Sequence, residues 1–166
     1  MSIELINFSK KYSHSNNNDD YSVKDVSFIC KHGEITGLVG ENGSGKSTII
    51  KAITGYHYPT EGKVILTDLN GNEINVSLHP EKARFITGYV PEVNLLPLSE
   101  KVSDLFKFFS CVYNVLDYSD VVSKFSIDSV MDKKIKVLSK GYKQRVAFAL
   151  AFLHNPSVIV LDEPIS

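Results

Sequence analysis

The sequence predicts an α/β fold, and three features of its 166 residues carry that expectation. Ile35-Thr36-Gly37-Leu38-Val39 is a short apolar run that suits a buried strand; a glycine-rich stretch follows, then Ser47 to Thr54, helical in pattern and stopping at Gly55. Val158-Ile159-Val160-Leu161 is a second short apolar run, and it delivers Asp162, Glu163 and Pro164 at its carboxyl end. The rest of the chain supplies segments of alternating pattern and segments of helical spacing, the mixture an α/β architecture needs.

The remaining elements follow in chain order. Ser2 to Phe8 alternates like a strand, which also argues against a cleavable leader. Ser13 to Asp20 is a polar, low-complexity insert and is expected to be a flexible hairpin loop. Lys63–Thr67 and Glu73–Val76 are strand-like and flank Asn70-Gly71, the dipeptide of a hairpin turn. From Ser99 to Leu116, the residues Val102, Leu105, Phe106, Phe109, Val112, Tyr113 and Leu116 keep helical spacing, which predicts a helix packed on a core. Val146 to Leu153 is apolar nearly all round and is expected to be a buried helix.

Composition narrows the function classes. A hydrophobic content of 43% suits one globular core, and a net charge of −1 gives no basic footprint for nucleic acid. Lys133-Lys134-Ile135-Lys136 is expected to be a solvated helix edge. Cys30 and Cys111 suit free, buried thiols in a reducing cytosol and are too few for a metal site. The histidines show no ligand spacing, and no apolar run approaches the roughly 20 residues of a membrane-spanning helix.

The glycine-rich stretch carries the chemistry. Gly40-Glu41-Asn42-Gly43-Ser44-Gly45-Lys46-Ser47-Thr48 matches the pattern G-x-x-x-x-G-K-[ST] without substitution. Backbone N–H groups can converge on phosphates only where side chains do not obstruct them, which explains Gly40, Gly43 and Gly45. Lys46 adds positive charge for the β- and γ-phosphates, Ser47 offers a hydroxyl to Mg²⁺, and the helix start turns its positive dipole end toward the anion. The expected ligand is a nucleoside triphosphate. Asp162 and Glu163 fit a carboxylate supporting Mg²⁺ and a second one orienting or deprotonating water. Leu138-Ser139-Lys140-Gly141-Tyr142-Lys143-Gln144-Arg145 sets a serine and a glycine at a helix start, which is simple capping or a further anion site.

With that last motif just upstream of the Asp-Glu strand, the sequence resembles the ATP-binding cassette (ABC) family, whose signature there is Leu-Ser-Gly-Gly-Gln. The resemblance runs through Lys10-Lys11-Tyr12, Val23 to Phe28, Gly33-Glu34-Ile35, Gly55-Tyr56, Pro59 to Val64 and Ile86 to Glu92. It implies a P-loop NTPase of ABC type, with an antiparallel β subdomain and an α-helical subdomain at 93–140 inside one ATPase domain spanning 1–166. It also implies ATP and Mg²⁺ as ligands and hydrolysis to ADP and phosphate.

The residue roles it implies are as follows. Tyr12 stacks on adenine, with Tyr21 as runner-up. Gly40, Glu41, Asn42, Gly43, Ser44, Gly45, Lys46, Ser47 and Thr48 form the phosphate site. Glu163 is the general base, with Lys46 and Glu92 also in the catalytic set. Ser47, Glu92 and Asp162 serve the metal. Ser139 and Gly141 close over ATP held by a second copy, in a head-to-tail dimer. The sequence departs from the family at Lys140, at Tyr142 and at Glu92, which replaces a glutamine; Glu92 and the Leu-Ser-Lys-Gly-Tyr form resemble the branch serving ABC-2 exporters.

The resemblance further implies a cytoplasmic protein on the inner face of the cell membrane, driving a separate permease subunit. Residues near Leu95, Leu96 and Phe106 are candidates for docking that subunit. The chain stops at Ile165-Ser166, before the D-loop, the switch histidine and the C-terminal strands of the family. The expectation is therefore a C-terminally truncated domain that hydrolyses ATP poorly alone. The alternatives are a non-catalytic remnant and a soluble, non-transport ABC ATPase.

Overall fold

The computed structural model describes residues 2–12, 21–93 and 95–163, in two compact units, Met1–Ile86 and Thr87–Ser166. The expected loop at Ser13–Asp20 and the residue Pro164 lie outside the described residues.

The first unit is built on an antiparallel sheet. Strands β1 (Ser2–Lys11), β2 (Tyr21–Lys31), β3 (Glu61–Thr67) and β4 (Glu73–Asn75) pair in the order β2-β1-β3-β4. Central β1 sets Leu5 opposite Phe28 on one side and Val64 on the other. Leu5, Phe8, Val64 and Leu66 are buried, each contributing about 1.5–3 kcal/mol relative to exposure. The predicted hairpin forms as β3 and β4, with Asp68 accepting the backbone N–H groups of Asn70 and Asn72 and Gly71 at φ 83°.

A bulge interrupts β1 between Leu5 and Phe8. Asn7 takes φ 48° and donates its side-chain amide to Asp25 at 3.0 Å; Asp25 itself takes φ 49°. Gly62 follows from this geometry. Any Cβ there would collide with the Asn7 carbonyl. Helix α1 (Lys46–Ile53) packs on β2 and β3, burying Ile49, Ala52 and Ile53. Helix α2 (Pro80–Phe85), which the sequence pattern did not signal, packs by β4 and sends Arg84 to the Gly55 carbonyl at 3.0 Å.

Ile35–Val39 departs from expectation. It adopts no regular structure, and Ile35 and Val39 are exposed. An apolar run becomes a strand only where a neighbour completes its backbone hydrogen bonds, and no described strand pairs with it.

The second unit contains β5 (Thr87–Val90) and β6 (Val158–Leu161), paired in parallel, with α5 (Lys140–Phe152) against β5. Helices α3 (Val102–Tyr113) and α4 (Ser119–Lys124) pack on α5, and two 3-10 turns follow at Asp128–Val130 and Ile135–Val137. Their shared core includes Val102, Phe106, Val122, Ile127, Ile135, Val146 and Ala149.

Several expectations need correction. Phe106 is fully buried and cannot dock a partner, because helical spacing turns it onto the α5 side of α3; Leu95 is exposed, while Leu96 is only partly so. Cys111 is exposed and Cys30 half-buried, so neither thiol is a core residue. Lys133, Lys134 and Lys136 are solvated as expected, but on a turn and bridge rather than on an α-helix.

His154, just past α5, stacks on Tyr113 with ring centroids 4.0 Å apart and planes 8° from parallel. Neither ring nitrogen makes a hydrogen bond of good geometry. Burial pushes its pKa below the ordinary 6.5, opposed more weakly by the Thr87 backbone. The unfolded chain therefore takes up this proton first. The group's contribution to stability is complete above about pH 6.5 and is lost as the pH falls below that value. Denaturant titrations from pH 7.5 to 5 should show a stability loss that His154→Phe reduces; equal slopes for the two proteins would contradict the assignment.

Candidate functional site

In the first unit the Gly40–Thr48 stretch is an open loop leading directly into α1. Gly45 is the residue on which it turns. It caps α1 at φ 93°, and a Cβ there would press into Val23 Cγ2 and lie 2.8 Å from the Ser22 carbonyl oxygen. Only glycine can thus hold the helix start against β2. The loop is tightened upstream by a bond from the Ser44 N–H to the Glu41 carbonyl at 3.2 Å.

Lys46 bends back over this loop. Its Nζ donates to the carbonyls of Gly40 and Glu41 at 2.8 and 2.9 Å. The first turn of α1 contains no acidic side chain, and Lys51 stands in its last turn. An acidic residue would ordinarily offset the partial positive charge of a helix start, so here that charge is left for an external anion. Ser47 and Thr48 are half-buried at the same helix start.

Thr48 ties this loop to Tyr12. The two hydroxyl oxygens lie 3.3 Å apart. Tyr12 also meets His57 edge-to-face, with centroids 5.5 Å apart at 79°, and Lys10 Nζ lies 5.4 Å from its ring centroid. Tyr21 is engaged elsewhere: its hydroxyl donates to Glu61 at 2.9 Å, and the ammonium groups of Lys11 and Lys24 lie over its ring at 4.2 and 5.2 Å.

In the second unit, the parallel pairing of β5 and β6 sets Val90 opposite Leu161, so Glu92, Asp162 and Glu163 all leave from the carboxyl ends of the strand pair. Open α/β sheets bind ligands at that end. The Asp162 N–H donates to the Val90 carbonyl at 3.0 Å, and the residue is buried. Glu163 takes φ 44°, a left-handed conformation that costs a non-glycine residue about 1–3 kcal/mol and persists where surroundings impose it. Ser139 caps α5 by accepting the Tyr142 N–H at 3.3 Å, while Gly141 has open space where a side chain would lie.

The structure thus sets Tyr12 against Thr48 of the loop in one unit. In the other, Glu92, Asp162 and Glu163 follow the carboxyl ends of the paired strands β5 and β6. His57 beside Tyr12 carried no sequence signal, because it comes from a turn with no periodic link to the loop, while Lys10 is two residues before Tyr12 on the same strand end.

Comparison with known proteins gives a consistent result. A family model described as ABC transporter matches residues 23–166. The chain is 34% identical over 161 residues to human ATP-binding cassette sub-family A member 10, covering 93% of this chain and 10% of that one. It is 34% identical to an uncharacterized ABC transporter ATP-binding protein, MJ1023 of Methanocaldococcus jannaschii, covering 89% of this chain and 52% of that protein. It therefore spans about a tenth and about half of these relatives. Among solved structures, the ATP-binding cassette MJ0796, a dimer bound to ADP and phosphate in a post-hydrolysis state, superposes with a TM-score of 0.83 at 25% identity, covering 98% of this chain and 74% of that one.

Gly45→Ala should shift the helix start and lower stability by about 1–3 kcal/mol, the usual scale of overpacking. A thermal melt unchanged from wild type would show that Gly45 does not bear on β2 as described.

Proposed function

The chain belongs to the ABC transporter family, matched over residues 23–166, and from that premise we propose that it binds ATP with Mg²⁺ and hydrolyses it to power transport through a membrane subunit. The observation that carries this reading is the α1 start, where a left-handed Gly45, an uncompensated helix dipole and Lys46 converge. Lys46 exchanges its two carbonyl acceptors for the β- and γ-phosphates, while the N–H groups of residues 43–48 cradle them. The Thr48 contact favours Tyr12 over Tyr21 as the ring that stacks on adenine.

Each unit offers hard oxygen donors of the kind Mg²⁺ takes: the Ser47 hydroxyl at a helix start in the first, the buried Asp162 carboxylate at a strand end in the second. Ser47, Asp162 and Glu92 would hold it, and when bound it neutralises phosphate charge. Glu163 accepts a proton from water as the water oxygen forms its bond to the γ-phosphorus; the bond to the β–γ bridging oxygen breaks, and ADP leaves with that electron pair.

Residues 93–140 serve as the helical subdomain, and the exposed Val93, Leu95, Leu98, Phe108 and Val112 support it as the part that docks a membrane subunit on the cytoplasmic side. Ser139 and Gly141, exposed at the start of α5, close over ATP held by a second copy in a head-to-tail dimer. That Ile35–Val39, leading into the loop, pairs with no described strand favours a second reading, in which the chain binds nucleotide and turns it over poorly.

Calorimetric titration with ATP tests the binding step. Lys46→Ala should weaken ATP roughly 10- to 100-fold, the scale of a lost charge-assisted hydrogen bond. Wild-type affinity in that variant would overturn the site. Glu163→Gln should leave affinity intact and slow phosphate release by roughly 10²- to 10⁴-fold; unchanged turnover would remove Glu163 from the reaction.

A further inference from the structure

Tyr12 is supported from two sides by a single helix. Its hydroxyl lies 3.3 Å from Thr48 Oγ1, in the first turn of α1. His57, edge-to-face with its ring, hangs from the other end of the same helix, because its N–H donates to the Lys51 carbonyl at 3.1 Å. Lys10 belongs to the same cluster: its Nζ donates to the Tyr58 carbonyl at 2.7 Å and lies 5.4 Å from the Tyr12 centroid. The Tyr12 residue still keeps 37% of its surface exposed.

We propose that His57 is a positioning residue for the nucleotide base, fixing the orientation of Tyr12 so that base stacking and phosphate binding are both referred to α1. This rests on the reading of residues 40–48 as a nucleotide site. A tyrosine at an exposed strand end must otherwise give up rotamer freedom when a base stacks on it. An edge-to-face partner removes that cost before the ligand arrives, which is pre-organisation. The imidazole is suited to this as a neutral ring. Burial, with the nearby Lys51 and Lys10 charges, holds its pKa below 6.5, against a weaker pull from the Tyr56 backbone.

The test separates the base from the phosphates by titrating the same protein with ATP and with inorganic tripolyphosphate. His57→Ala should weaken ATP roughly 3- to 10-fold, the scale of an aromatic pair, and leave tripolyphosphate unchanged. His57→Phe should restore ATP affinity. Tyr12→Ala should weaken ATP, and adding His57→Ala to it should cost nothing more. The proposal is overturned if His57→Ala leaves both affinities unchanged, or lowers both by one factor, the mark of a merely structural role. A wild-type protein that binds neither ligand would instead defeat the nucleotide-site reading itself, and this inference with it.

Discussion

Everything assigned to the first unit depends on how Gly45 seats the start of α1 against β2. The contact is steric: no side chain fits between this helix start and the Ser22–Val23 backbone and side chain. It fixes where the N–H groups of the first turn point, where Lys46 can reach and where Thr48 presents its hydroxyl. The antiparallel sheet serves the same end from below. Its bulge at Asn7 and the matching Gly62 let β1 bend while β2 and β3 remain a floor for Ile49 and Ala52.

The second unit solves a different problem, holding carboxylates at a defined edge. Parallel pairing of β5 with β6 releases Glu92, Asp162 and Glu163 at one end, and the Asp162 N–H extends the ladder by one bond. Burial of Asp162 and the left-handed backbone of Glu163 give the two adjacent acids different surroundings. Neighbouring carboxylates with unlike environments are suited to unlike roles.

Much of this was legible in the residues themselves. The helix after the loop, the β3–β4 hairpin, the Val102–Leu105–Phe106 part of the α3 core stripe and the β6 strand follow from local pattern, because periodicity and turn chemistry act over a few residues; Val112 and Leu116, expected on that stripe, are exposed. Boundaries were less legible: α5 begins at Lys140 rather than Val146, since a serine cap and a polar first turn carry no hydrophobic signal. Ile35–Val39 failed as a strand for a non-local reason, the lack of a described pairing partner, which no window of sequence reports. Phe106 failed as a docking residue because it belongs to the buried stripe of α3 that its helical spacing had already marked. His57 beside Tyr12 was invisible in the sequence, since it reaches the ring only through tertiary folding, whereas Lys10, two residues before Tyr12, shares its side of the strand.

On the proposed function, the backbone of residues 41–48, oriented by Gly45, receives the phosphates of a nucleotide. Amide hydrogen exchange with added ATP, and separately with AMP, tests this most directly. ATP should slow exchange across residues 41–48, and AMP, lacking β- and γ-phosphates, should leave it nearly unchanged. Exchange at these amides that is the same with and without ATP would contradict the proposed function.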